Sequence, residues 1–372
     1  MKTLQIYRTY FPDPPGGLQE AIRQICIATS NYDVKNTIYT LSPNNQPRVI
    51  ERPEATVVRE HSWIAPASCD IGGIAAFSTY LSLLKQTDVV HYFHPWPFAD
   101  LLNLFKKDDK PALLTYISDV VRQRAINALY SPLMWRTLHK MDAIVANCPS
   151  YLETSPVLSH PSIRNKVHII PLGIDESSYP QVGDNSIFSR IGIIQSEPYF
   201  LFLGVLRYYK GLHILINACK DVKAKIVIAG SGPEDDKLKQ QVKDLNIDNV
   251  LFTGQITDSE KVALIQNCRA LVLPSHLRSE AYGMVLVEAS MMSKPMVSCE
   301  IGTGTSFVNL HEETGFVVPP EESESLSMAM NTFLTDESLA NAMGLAARKR
   351  YEKFFSGQAL GQAYSAMYKK LL

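Results

Sequence analysis

Two α/β domains, each built on a doubly wound parallel sheet and facing each other across a cleft, are what this sequence predicts, on three observations. Short β-branched or apolar runs alternate with amphipathic segments of helical length, the alternation occurs twice, and a polar, turn-rich stretch with no clear period separates the two series. Alternation of that kind means βαβ units and a parallel, Rossmann-like sheet. A chain of 372 residues has the length for two domains of ordinary size.

In the first series TLQIYR, NTIYTLS, DVVHYF, PALLTYI, DAIVANC and KVHIIPL read as strands, because each is bounded by polar or breaker residues. Between them GLQEAIRQICIAT and VVRQRAINALYSPLMWRTLHK read as helices. The second series has the strands YFLFLG, AKIVIAG, NVLFTG, ALVLP and PMVSC. Its helices are ILINACKDV, DKLKQQVKDLN, SEKVALIQNC and GMVLVEASMM. The predicted domains are 1–178 and 198–354, joined by a linker at 179–197 within GIDESSYPQVGDNSIFSRIGIIQSEP. After FVV no further strand is predicted, and 321–372 read as helices only. Open sheets of this kind bind ligands beyond the carboxyl ends of their strands, so a ligand between the two sheets is expected.

Composition narrows the function. Lys plus Arg number 36 against 37 for Asp plus Glu, a formal charge of −1. No basic excess points to nucleic acid, and membrane affinity would have to come from a local patch. The N-terminal MKTLQIYRTYFPD lacks the apolar core of a signal peptide. The uncharged IGGIAAFSTYLSLL is shorter than the roughly 20 apolar residues that span a bilayer. Cys26, Cys69, Cys148, Cys219, Cys268 and Cys299 are scattered without CxxC pairs, which favours reduced, buried thiols in a cytoplasmic protein.

Several stretches carry chemistry. In RSEAYGMVLVE, Glu280 lies in a loop beyond the strand ALVLP, and Glu288 lies inside the helix that opens near Gly283. The free N–H groups at that helix start, around Met284 and Val285, suit a phosphate. Glu288 stands among apolar residues and needs a partner, since an unpaired buried charge is costly. A pair of ribose hydroxyls is a fitting partner, while a dipole-favouring Glu280 and a solvated Glu288 make the plain alternative. In FLGVLRYYKGLH a strand ends at Gly204, and Arg207 and Lys210 precede the next helix. Two cations at a helix start can neutralise a diphosphate leaving group. The turn FPDPPGGLQEAI is not GxGxxG, yet Gly16 and Gly17 would let backbone approach a phosphate or sugar. His91, His94 and Trp96 cluster at one strand end, where they could serve a sugar or the core alike.

Taken together, the chain resembles retaining glycosyltransferases of the GT-B fold, family 4, over essentially its whole length. The landmarks are PPGGLQE, the His91/His94 strand, IIPLGID, FLGVLRYYKG, IAGSGPE, LFTGQITD, SEAYGMVLVEAS, KPMVS and ETGFVVPP, in order. The resemblance implies a C-terminal half for the sugar nucleotide and an N-terminal half for the acceptor, with a final helix from about 355 returning to the N-terminal domain. It implies that Arg207 and Lys210 hold the diphosphate, Glu280 the donor sugar and Glu288 the ribose. YISDVVRQRAINALYSPLM, NCPSYLETSPVLS and EIGTGTSFVN are similar to mannosyl- and rhamnosyl-type transferases of surface polysaccharide (O-antigen-like) assembly. That favours a GDP-sugar donor, with a UDP-sugar the alternative, and a glycan or lipid-linked oligosaccharide acceptor. Peripheral contact with the inner face of the membrane is an open option. One departure stands out: relatives carry histidine, a contact of the donor's 6-hydroxyl, where this chain has Ile117, which is what a 6-deoxy donor would suit.

A retaining transfer without a covalent intermediate lets the leaving diphosphate accept the acceptor's proton, so the protein positions and stabilises charge. No D-x-D occurs, and no metal is expected. No carboxylate is an evident nucleophile; Asp119 is the one to test. A catalytically degenerate sugar-nucleotide-binding or scaffold protein, and an epimerase on the same fold, are the competing readings.

Overall fold

The computed structural model describes residues 1–13, 16–66, 69–107, 109–119 and 124–372, with the backbone alone for 124–129. Pro14 and Pro15 of the predicted PPGG turn, and 120–123 at the start of the predicted VVRQRAINALYSPLMWRTLHK helix, lie outside the described residues. The chain divides into two compact units, one made of Met1–Gly173 with Gly357–Leu372, the other of Ile174–Ser356.

The first unit contains a sheet of nine strands: β1 (Lys2–Ile6), β2 (Lys35–Ser42), β3 (Val49–Glu51), β4 (Thr56–Ile64), β5 (Ile71–Gly72), β6 (Val89–His94), β7 (Ala112–Tyr116), β8 (Ala143–Ala146) and β9 (Val167–Ile169). Their order is β3-β4-β2-β1-β6-β7-β8-β9, with β5 paired to β4, and only β3 and β5 run antiparallel. β6, β7 and β8 are buried along their whole length, as a sheet covered on both faces requires. The strands β3, β4 and β5 were not legible in sequence. ERPEATVVREHSWI interleaves charge with apolar residues although β4 lies inside the sheet, between β3 and β2. Its Arg59 and Glu60 are buried and held by Ser42 and Asp13, and by Arg48 and Thr79, partners that no local pattern shows.

The terminal helix Gly357–Leu371 joins this core through Leu360, Tyr364 and Tyr368, which pack with Ile22, Ile25 and Phe93. Gly361 allows the approach: a Cβ there would stand 2.3 Å from the Ala28 carbonyl oxygen. A buried polar web completes the attachment. His91 Nδ1 is 2.8 Å from Tyr368 Oη and its Nε2 is 2.7 Å from Thr115 Oγ1, which in turn is 3.0 Å from Tyr364 Oη.

The second unit contains β10 (Tyr199–Leu203), β11 (Lys225–Ala229), β12 (Val250–Gly254), β13 (Ala270–Leu273), β14 (Met296–Cys299) and β15 (Gly315–Val318) in the order β12-β11-β10-β13-β14-β15, all parallel. The order reverses direction at β10 and β13, so the loops after those two strands open at the topological switch point. The segment 179–197, expected as a linker, belongs to this unit. Within it Ser186–Ile191 is helical, and Ile187 and Phe188 are buried. Short polar runs hid two core residues whose burial depends on contacts far along the chain.

No helix among the described residues is long and apolar enough to cross a membrane. All six cysteines are free thiols.

Candidate active site

In the second unit three predicted residues, Lys210, Glu280 and Glu288, stand in two carboxylate-centred arrangements. After β10, Gly204 at φ 142° and Gly211 at φ 70° shape the turn. A Cβ on Gly211 would meet the Pro274 carbonyl oxygen at 2.0 Å, so this loop and the loop after β13 touch through backbone. The Lys210 Cε methylene lies 3.5 Å from where a Cβ on Gly204 would stand, an ordinary contact, so it is the backbone φ that calls for glycine at 204. Lys210 Nζ ends 2.5 Å from Glu280 Oε2, which also accepts from Ser275 Oγ at 3.3 Å. Burial works against the charge on Lys210, but the Glu280 carboxylate outweighs it and raises the ammonium pKa. Glu280 Oε1 has no partner among the described residues. Arg207 is exposed, and no side-chain partner holds it among the described residues.

Gly283, at φ 81°, caps the helix Met284–Met291. A Cβ on it would press into Leu273, and the N–H groups of Met284 and Val285 at the helix start have no acceptor among the described residues. One turn on, Glu288 is buried and does have partners, as the apolar surroundings required. Its Oε1 accepts from the Tyr179 hydroxyl and from Lys261 Nζ at 3.1 Å. Lys261 also lies 3.2 Å from Asp258 Oδ1 and 4.6 Å from the Tyr179 ring centroid. Tyr179 and Lys261 were missed in sequence: one sits in a supposed linker, the other on an unremarkable helix. The one available signal was the need of a carboxylate in MVLVEASMM for company. A further cluster missed in sequence braces the loop after β10. His276 Nδ1 is 2.9 Å from Glu321 Oε1 and its Nε2 3.1 Å from the Tyr208 carbonyl oxygen, while His213 stacks on the Tyr208 ring at 5.1 Å.

The first unit places its predicted residues differently. His91 is fully buried in the polar web, and burial drives its pKa down to about 3, so the structure selects the core reading for it. Trp96 is buried too, donating from Nε1 to the Asp70 carbonyl oxygen at 2.8 Å; its indole is not presented to a sugar. His94 is buried and stacked on Tyr116 with ring centroids 4.5 Å apart. Burial lowers its pKa to about 3, and Nε2 has no hydrogen-bond partner among the described residues. A neutral imidazole of that kind can hydrogen-bond but is a poor proton shuttle near neutral pH. Asp119 Oδ1 accepts from Tyr116 Oη at 3.0 Å and Ser155 Oγ at 2.6 Å, bonds that fix the loop after β7. Gly16 and Gly17 open the helix Gly17–Ser30. A Cβ on Gly17 would meet nothing within 4 Å, so no protein atom demands glycine there.

Comparison with known proteins agrees with this architecture. The model of "Glycosyltransferase Family 4" matches residues 15–178, and that of "Glycosyl transferases group 1" matches 184–350. The chain is 40% identical to the D-rhamnosyltransferase WbpZ of Pseudomonas aeruginosa, over 96% of this chain and 92% of that protein. It is 34% identical to the O-antigen chain mannosyltransferase C of Escherichia coli, over 100% of this chain and 99% of that protein. Among solved structures, the sucrose-phosphate synthase of Thermosynechococcus elongatus is similar with a TM-score of 0.80 at 22% identity, covering 100% of this chain and 98% of that one. Anabaena HepE in complex with UDP is similar with a TM-score of 0.79 at 17% identity, covering 100% of both chains. Two parallel-sheet domains of GT-B type, and full-length identity to relatives of this one class, make the chain a member of the family 4 glycosyltransferases.

Proposed function

We propose that the chain is a retaining hexosyltransferase that moves mannose or 6-deoxymannose (rhamnose) from a GDP-sugar to a glycan or lipid-linked oligosaccharide acceptor in O-antigen-like polysaccharide assembly. The observation that carries this reading is the full-length identity to a rhamnosyl- and a mannosyltransferase, taken with glutamates that each keep one oxygen open. On this reading the second unit takes the sugar nucleotide and the first takes the acceptor. Arg207, Lys210 and the N–H groups of Gly283, Met284 and Val285 bind the diphosphate and stabilise its charge as it leaves. The leaving phosphate oxygen accepts the acceptor's proton on the same face, which preserves the anomeric configuration. Glu280 Oε1 receives a donor-sugar hydroxyl and Glu288 Oε2 a ribose hydroxyl. Gly17 of the first unit leaves its backbone open to a phosphate or sugar beside Gly16, while His94 is a neutral, buried imidazole and keeps no direct part in the transfer. Asp119 keeps a positioning role, because Tyr116 and Ser155 already engage its carboxylate.

The reaction is read as metal-independent, the cations of the loop after β10 standing in for a metal–diphosphate bridge. The test is turnover: GDP-mannose, GDP-rhamnose and UDP-sugars offered with lipid-linked acceptors, with and without EDTA. Loss of activity in EDTA that magnesium or manganese restores would overturn metal independence. Turnover confined to UDP-sugars would overturn the GDP reading. No turnover with any donor, alongside tight nucleotide binding, would favour a binding protein instead.

Work at the cytoplasmic face of a membrane is supported by one surface of the first unit. Trp63, Ile64, Ile74 and Phe105 are exposed, and Ile71–Leu84 carries no charge before the exposed Lys85. An aromatic and aliphatic face flanked by lysine suits an anionic bilayer surface. Co-sedimentation with phosphatidylglycerol vesicles should fall when Trp63 and Ile74 are changed to Glu, and unchanged binding would remove this part of the proposal.

A further inference from the structure

The Glu288 carboxylate is held from two other segments of the chain, and both contacts fall on one side of it. Tyr179 comes from the stretch that opens the second unit, Lys261 from the helix Asp258–Asn267, and Glu288 from the helix Met284–Met291. The Tyr179 hydroxyl and Lys261 Nζ both donate to Oε1, while Oε2 has no partner among the described residues. Lys261 is itself fixed, between Asp258 and the face of the Tyr179 ring. The tyrosine is buried, so its hydroxyl needs an acceptor, and Glu288 supplies it. A glutamate terminal torsion is broad when free, and two donors on one oxygen restrict it.

We infer that Tyr179 and Lys261 are positioning residues that hold Glu288 by Oε1 and thereby present Oε2 to the ribose hydroxyls of the donor. The inference rests on the reading of Glu288 as the ribose contact and adds what places it. A carboxylate fixed this way loses little freedom when the nucleotide arrives, so the diol interaction is fully available for binding. Without the tyrosine hydroxyl or the ammonium, the carboxylate turns, and Oε2 no longer meets the hydroxyls at hydrogen-bond distance. The base and diphosphate contacts are untouched by that turn, so the deficit concerns the ribose.

The test measures affinity of the intact protein for GDP and for 2′,3′-dideoxy-GDP by calorimetry, with the UDP pair in parallel and the tighter-binding pair read. The unchanged protein should prefer the diol by about tenfold or more, the size of one or two hydrogen bonds to a charged group. Tyr179→Phe and Lys261→Met should each reduce that preference by about three- to tenfold. Both should raise donor KM with kcat little changed, and Lys261→Arg should restore most of the preference. Equal loss of affinity for the diol and dideoxy forms, or an unchanged ratio, would leave Tyr179 and Lys261 as fold residues and overturn the inference. Glu288→Gln separates the two levels. If it abolishes the preference while Tyr179→Phe and Lys261→Met do not, the positioning inference alone fails. If it too leaves the ratio unchanged, or no nucleotide binds, the ribose reading of Glu288 fails with it.

Discussion

Polar residues on and after the central strands are held differently in the two units. In the unit 174–356 they are charged and half-engaged: Lys210 meets one oxygen of Glu280, Lys261 and Tyr179 meet one oxygen of Glu288, and Arg207 is exposed. In the unit of 1–173 and 357–372 those on and just after β6 are enclosed. His91 and His94 are buried with pKa values near 3, and burial lifts Asp100 to about 7. The difference teaches where charge can be handled. A carboxylate stays ionised beside a cation and can receive hydroxyls, whereas an imidazole stripped of water cannot take a proton near neutrality.

The largest effect should come from breaking the charged side of this comparison. Glu280→Gln keeps shape and removes charge, so transfer should fall by about ten- to a hundredfold, the loss of a charged hydrogen bond. Affinity for GDP should hardly change, because the diphosphate contacts remain. Near-normal turnover in this variant would mean that Glu280 does not face the donor sugar.

Acid should break the other side first. His91 and His94 have folded-state pKa values below the usual 6.5, so the unfolded chain takes up two protons that the folded unit refuses as pH falls below 6.5. Asp100 acts in the opposite sense: its folded pKa lies above the usual 3.8, so the folded unit holds one proton that the unfolded chain releases between those values. The balance of these three groups is about one proton taken up on unfolding between pH 6.5 and 4, or about 1.4 kcal/mol of stability lost per pH unit on acidification. Asp100→Asn removes the opposing group and should steepen that loss towards twofold, with melting followed at pH 4.5, 5.5 and 6.5. An identical pH slope in the two proteins would contradict the enclosed state assigned to Asp100.

Donor choice sharpens the comparison at Ile117, in the first unit. A methyl packed on isoleucine gains about 0.8 kcal/mol and a stranded hydroxyl costs roughly 1–3 kcal/mol. GDP-rhamnose should therefore be preferred over GDP-mannose by about tenfold, and Ile117→His should narrow or reverse that ratio. Equal or better use of GDP-mannose by the unchanged protein would end the 6-deoxy idea while leaving the transferase assignment intact.

The smallest effect is expected at Arg207. Arg207→Ala should weaken GDP binding by a few-fold to about tenfold, since an exposed cation acts through screened charge. Its melting temperature should not move, whereas Lys210→Ala should lower both affinity and melting temperature because it strips Glu280 of its counter-charge. A matching loss of stability in the two variants would erase the distinction drawn between an exposed and a buried cation.

What the sequence could determine alone was whatever depends on local pattern. Apolar runs such as YFLFL and MVSC must be buried strands because nothing in them tolerates water, and their alternation with helices dictates parallel sheets. Short spacings showed where polar groups gather: Glu280 and Glu288 stand before and inside one helix, and Arg207 and Lys210 lie on one turn, though the structure pairs them differently. The tertiary structure decided every question of partnership. Tyr179 reaches Glu288 across 109 positions of chain, and Tyr368 reaches His91 across 277. No periodicity encodes such pairs, because they follow from which strands lie side by side and not from which residues are neighbours in sequence. The same holds for His94 and Trp96: whether a polar ring faces ligand or core is set by how deeply the packing of the sheet buries it, and burial is a property of the whole unit.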